Sequence, residues 1–77
     1  VVDEPVNLKF YLAETSILEL SVFDLNGKRV KLLYKGFVKS GNNQLAFSTA
    51  YLNSGIYLVV ISDEKKVLTT QKFVVAN

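Results

Sequence analysis

Leu52-Asn53-Ser54-Gly55-Ile56-Tyr57-Leu58-Val59-Val60-Ile61 is the stretch on which the reading of this chain turns. Asn53-Ser54-Gly55 is a turn signal, because these residues favour tight reversals and bond their own backbone. The run that follows, Ile56 to Ile61, is the longest uninterrupted apolar stretch in the sequence. It has the length of a strand, and its β-branched and aromatic content suits a strand with cover on both faces. Side chains alternate across a strand, so Tyr57, Val59 and Ile61 belong to one face, the core. Ile56, Leu58 and Val60 then share the other face, where they need cover from neighbours or form a docking surface.

Working outward, the same period of two recurs. Leu8, Phe10 and Leu12 alternate with Lys9 and Tyr11 behind Pro5, a residue that can begin a strand but not sit inside a central one. Leu18, Leu20 and Val22 alternate with Glu19, Ser21 and Phe23 and run into Asp24-Leu25-Asn26-Gly27. There Asn26-Gly27 offers the positive backbone angles of a tight hairpin, and the Asp24 carboxylate can accept backbone N–H bonds. Lys28 to Tyr34 returns as the hairpin partner, with Val30 and Leu33 inward and a bulge between them. Gly36 and the cluster Ser40-Gly41-Asn42-Asn43 mark the next reversals, Leu45 and Phe47 a short strand, Asp63 to Lys66 a polar hairpin tip, and Val67 to Val75 the closing strand. A helix over Arg29 to Val38 is disfavoured by its β-branched and aromatic content and by Gly36.

The spacing predicts an all-β fold, an immunoglobulin-like antiparallel β-sandwich of about seven short strands. In such sandwiches a Tyr near the start of the penultimate strand hydrogen-bonds back across a corner, and a core position follows two residues later. Tyr57 and Val59 have that spacing.

Composition narrows the function. The chain has 77 residues, enough for one core and no second lobe. It contains no His and no Cys, which removes thiolate chemistry, disulfides, the commonest general base and the usual metal ligands together. We therefore expect no enzyme, no metal and no cofactor. No apolar run reaches the roughly 18 residues of a membrane helix, so no direct membrane insertion is expected. The N-terminus lacks the layout of a signal peptide, and an exported protein would carry that signal on a longer precursor. The absence of Met suggests a segment cut from something larger.

Each candidate for chemistry has a plainer structural reading. Asp3/Glu4 and Asp63/Glu64 are adjacent in tail or turn segments, where neighbours point apart and stay solvated. Asp24, Asn26, Gly27 and Gly41 read as turn residues, with a weak calcium site at Asp24 as the functional alternative. The serines have no His partner, and the four glycines lie in separate turns, so neither a nucleophile nor a phosphate-cradling loop is present. Lys28, Arg29, Lys31, Lys35 and Lys39 place five of the nine cationic residues in a segment without acids. The bland account is an edge strand guarded by lysines against pairing with other chains. The functional one is a docking patch for a protein or anionic surface. Nucleic acid is not expected, since the net charge is only +2.

Taken in order, the motifs resemble the C-terminal sorting domain of cargo proteins exported by the type IX (Por) secretion system of Bacteroidetes-type bacteria. The similarity covers roughly residues 5 to 76: Pro5 to Leu12; Asp24-Leu25-Asn26-Gly27-Lys28-Arg29-Val30; Ser40-Gly41; Leu52-Asn53-Ser54-Gly55-Ile56-Tyr57; and Lys72-Phe73-Val74-Val75 at the end. Glu4 stands where the family usually has Asn. The resemblance implies residues 1–4 as a linker to an upstream cargo and residues 5–77 as one sorting domain. It implies passage through the periplasm to the cell surface or medium, recognition by outer-membrane translocon components, and removal by a sortase-like surface peptidase. By motif position it assigns recognition to Gly55, Tyr57, Lys72, Phe73, Val74 and Val75. Two other classes compete: a non-catalytic accessory or spacer module, such as those of secreted glycosidases or hook-capping scaffolds, and a carbohydrate-binding module with Tyr11, Phe23, Tyr34 and Phe37 as an aromatic platform.

Overall fold

The computed structural model describes residues 5–76; the linker expected at 1–4, the Asp3/Glu4 pair and Asn77 lie outside the described residues. Six strands follow one another: β1 (Val6–Leu12), β2 (Ser16–Asp24), β3 (Arg29–Val38), β4 (Gly41–Phe47), β5 (Gly55–Ser62) and β6 (Val67–Val75). All pairings are antiparallel. A two-stranded sheet, β1-β4, faces a four-stranded sheet in the order β3-β2-β5-β6. This is the expected β-sandwich, with six strands in place of about seven. Residues 48–54 carry no strand: the Leu52 N–H donates to the Thr49 carbonyl at 3.0 Å, and the chain turns as it crosses from one sheet to the other.

The core follows the period of two. Leu8 and Leu12 of β1, Leu18, Leu20 and Val22 of β2, Phe47 of β4 and Tyr57, Val59 and Ile61 of β5 are buried between the layers, with Leu52 from the crossing and Val75 from β6. Each such aliphatic side chain contributes about 1.5–3 kcal/mol on leaving water. Both turn segments at one end are tied together, since the Ser40 N–H donates to Thr15 Oγ1 at 3.1 Å. At the seam between β6 and β1, Gln71 Nε2 donates to the Lys9 carbonyl at 3.4 Å.

Three local expectations are corrected. Gly36 is not a reversal: β3 continues through it to Val38, and the Tyr34 ring lies over its backbone, so that a Cβ there would come within 3.0 Å of the Tyr34 hydroxyl. Gly41 to Asn43 are not a loop, because they open β4 in register with Leu12, Tyr11 and Phe10. The first hairpin carries positive φ at Gly27 alone (φ 85°). The Gly27 N–H donates to the Asp24 carbonyl and the Asp24 N–H to the Lys28 carbonyl, which is a three-residue loop with one left-handed position. The bulge in this hairpin is double. Pairing shifts between Leu20 and Ser21 and between Val22 and Phe23, leaving Leu33 and Val30 outside the ladder and turned onto the core.

Candidate functional site

The six positions assigned to recognition come from two stretches of sequence, and the sheet brings them side by side. In the β5–β6 register Gly55 faces Val75, Tyr57 faces Phe73 and Leu58 faces Lys72, while Val74 faces Ile56. The antiparallel pleat then separates them into two groups. Tyr57, Phe73 and Val75 point inward. The Tyr57 hydroxyl donates to the Asn53 carbonyl at 2.7 Å, which is the corner bond the sequence foretold. The Tyr57 ring stacks on Phe73 with centroids 5.7 Å apart, and Phe73 meets Phe47 of the opposite sheet edge-on at 5.5 Å. Gly55 lies beside that ring, and a Cβ there would make an ordinary contact of 3.7 Å with Tyr57 Cε2.

Lys72 and Val74 point the other way, into solvent, from a strand whose outer edge has no described partner. Val74 is 64% exposed and its neighbour Ile56 is 40% exposed. Beside them Phe23, Leu58 and Val60 are half-buried, and Leu25 is exposed at the rim. The outer face of β5 is therefore only partly covered. At its centre Ser21 is buried, and its hydroxyl has no hydrogen-bond partner among the described residues. The Arg29–Glu19 ion pair, at 3.5 Å, joins residues paired on either side of this position.

The turn residues do structural work. Asp24 Oδ1 accepts the N–H groups of Asn26 and Lys28 at 2.9 and 3.0 Å and so closes the first hairpin. Asp63 repeats the device at the hairpin between β5 and β6: its Oδ1 accepts the Lys65 and Lys66 N–H groups at 2.7 and 2.8 Å. Those two bonds hold the Asp63 carboxyl below its ordinary pKa. Among the described residues no three acidic side chains gather where a metal ion could be held.

The five clustered cations fall on or beside β3, which is an edge strand. They do not form one patch. Arg29 pairs with Glu19, and Lys35 stands opposite Glu19 in the register. Lys31 Nζ sits over the Tyr51 ring, 5.3 Å from its centroid, and burial pushes the Tyr51 phenol upward in pKa. Tyr51 was not among the residues expected to matter, and nothing local in the sequence joins it to Lys31; the crossing at 48–54 does. The aromatic platform is likewise dispersed: Tyr11 projects from β1 away from the core, Phe23 lies on the outer face of the other sheet, and Tyr34 and Phe37 belong to β3.

A family model described as a secretion system C-terminal sorting domain matches residues 2–76. Comparison with curated proteins and with solved structures found no match.

Proposed function

This chain belongs to the secretion system C-terminal sorting domain family, and on that premise we propose that it acts as a folded address label: a ligand of the type IX translocon that carries a preceding cargo through the outer membrane and has no chemistry of its own. The observation that carries the reading is the family match along residues 2–76, in a chain whose motifs fold into one continuous sandwich. The cargo reaches the translocon from the periplasm. At the cell surface a sortase-like peptidase separates the label from the cargo.

The geometry supports a division of labour among the assigned residues. Gly55, Tyr57, Phe73 and Val75 hold the end of β6 against the core, and Lys72 and Val74 are the side chains a receptor would touch. Together with Ile56 and Leu58 they make an apolar surface with one cation, on an edge strand that can also offer backbone hydrogen bonds.

The test is to fuse the chain to the C-terminus of a periplasmic reporter in a host that has this pathway. Surface delivery is expected, and deletion of residues 72–77 should abolish it. A reporter that stays periplasmic while the fused domain is folded and protease-resistant would instead support an accessory module.

A further inference from the structure

A hollow of about 350 Å3 lies on the outer face of the four-stranded sheet, where the first hairpin meets β5. Phe23, Asp24, Leu25, Gly27, Leu58 and Val60 line it. Its floor follows from the register: Phe23 of β2 stands opposite Leu58 of β5, and alternation puts both, with Val60, on the face turned away from the core. One wall is the loop Asp24 to Gly27. Asp24 Oδ1 accepts the Asn26 and Lys28 N–H groups, and backbone bonds from the Gly27 N–H to the Asp24 carbonyl and from the Asp24 N–H to the Lys28 carbonyl brace the same loop. Leu25 is thereby held at the rim, 63% exposed, with an apolar hollow beside it. Gly27 adds no side chain to the lining, and nothing lies within 4 Å of where its Cβ would stand.

The hollow is continuous with the side chains that the export reading hands to a receptor. Leu58 stands opposite Lys72 and Ile56 opposite Val74, so an apolar strip runs from Leu25 through Phe23, Leu58 and Ile56 to Val74 on the edge strand. A lone exposed leucine is ordinary on a protein surface, whereas a connected strip beside a hollow marks an interaction site. The charges around it are few. Arg29, opposite Phe23, is engaged with Glu19, and the Asp24 carboxylate bonds its own turn. Lys72 has no ion pair among the described residues. The hollow therefore suits an uncharged apolar side chain, with an acid placed only toward Lys72.

We propose that this hollow anchors the receptor: a large apolar side chain of a type IX translocon component enters it between Leu25 and Leu58, and a carboxylate of the same component pairs with Lys72. The inference rests on the export reading and adds to it the hairpin residues Phe23 and Leu25, which lie outside the six positions assigned to recognition. Interfaces concentrate their binding energy where an apolar anchor fills such a pocket and the rim excludes water. The loop that carries Leu25 is already braced, so little is lost to ordering it when the anchor enters.

The experiment measures surface delivery of a periplasmic reporter fused to the chain, with thermal unfolding of each purified domain beside it. Leu25→Ser removes the apolar rim, and Leu25→Lys also sets a charge beside the hollow. Both alter an exposed loop side chain and should leave thermal unfolding unchanged. Delivery should fall at least ~tenfold for Leu25→Lys and by a smaller factor for Leu25→Ser. Phe37→Ser is the control. Phe37 is more exposed still, at 73%, but pairs with Ile17 at the other end of the same sheet face, so its delivery should match the parent's. The isolated domain, co-produced in the periplasm in excess, should compete with the reporter, and its Leu25→Lys form should not. Normal delivery by a folded Leu25→Lys fusion, or an equal loss for Phe37→Ser, would overturn the anchor and leave the export reading intact. A folded parent fusion that stays periplasmic would overturn that reading, and the anchor with it.

Discussion

The Tyr57 hydroxyl reaches back across the corner that begins β5 and donates to the Asn53 carbonyl at 2.7 Å, while its ring lies against Phe73 of the closing strand. One side chain thus fixes the turn before β5 and the position of the strand after it. Tyr57→Phe keeps the stacking and removes the bond, and should cost about 1–2 kcal/mol with the fold retained. Tyr57→Ala also empties the space against Phe73 and should cost about 3–5 kcal/mol. Urea unfolding of both variants separates the two contributions; a Tyr57→Phe variant as stable as the parent would show that the bond contributes nothing.

The first hairpin depends on one left-handed residue and one carboxylate. At Gly27 nothing lies within 4 Å of an added Cβ, so Gly27→Ala meets no clash and should lose only the backbone penalty of its positive φ, about 1–2 kcal/mol. Asp24→Ala leaves the Asn26 and Lys28 N–H groups to water and should cost about 1 kcal/mol. Chemical denaturation checks both values.

Ser21 predicts the opposite sign. Its hydroxyl is buried with no hydrogen-bond partner among the described residues, so Ser21→Ala removes a polar group that gains no bond from them on folding. The variant should be unchanged or more stable by up to about 1 kcal/mol. A loss of more than that would mean the hydroxyl is bonded in solution.

Asp63 confers a defined pH response. Its carboxyl has a folded pKa below its ordinary value of 3.8, because it accepts two backbone N–H bonds. The stabilisation is therefore complete above the unfolded pKa and is lost as pH falls through the lower folded one. A carboxyl-detected NMR titration should place the Asp63 midpoint below 3.8. Asp63→Asn should lack this part of the acid response, and its unfolding curve should vary less with pH below about 4.

The two faces of β6 should respond differently. Lys72→Glu and Val74→Asp alter solvent-facing side chains and should shift stability by no more than about 0.5 kcal/mol, yet reduce delivery of a fused reporter. Phe73→Ala should cost about 3–5 kcal/mol and lower delivery through unfolding. Normal delivery by a folded Val74→Asp/Lys72→Glu variant would remove these side chains from recognition.

Much of the fold was legible because a half-buried strand writes its own faces into the sequence. Leu8 and Leu12, Leu18, Leu20 and Val22, and Tyr57, Val59 and Ile61 are inward by alternation alone, and all are buried. Asp24, Gly27 and Asp63 announce turns by local chemistry, and the Tyr57 corner by spacing. Gly36 and Gly41 misled for the same reason: a glycine marks any place where a side chain is unwelcome, and at Gly36 the cause is the Tyr34 ring rather than a reversal.

The sequence by itself determined most of the strands, the faces of β1, β2 and β5, and the turns at Asp24–Gly27, Asn53–Gly55 and Asp63–Lys66, since these depend on interactions within a few residues. Only the tertiary structure decided the order β3-β2-β5-β6, which leaves β3 and β6 as edges. It alone decided that Gly55 and Tyr57 lie beside Phe73 and Val75, that Ser21 is sealed, and that Lys31 meets Tyr51. Pairing of distant segments is a competition among all strands of similar pattern, settled by how well the two layers pack together, and no single stretch of residues encodes its outcome.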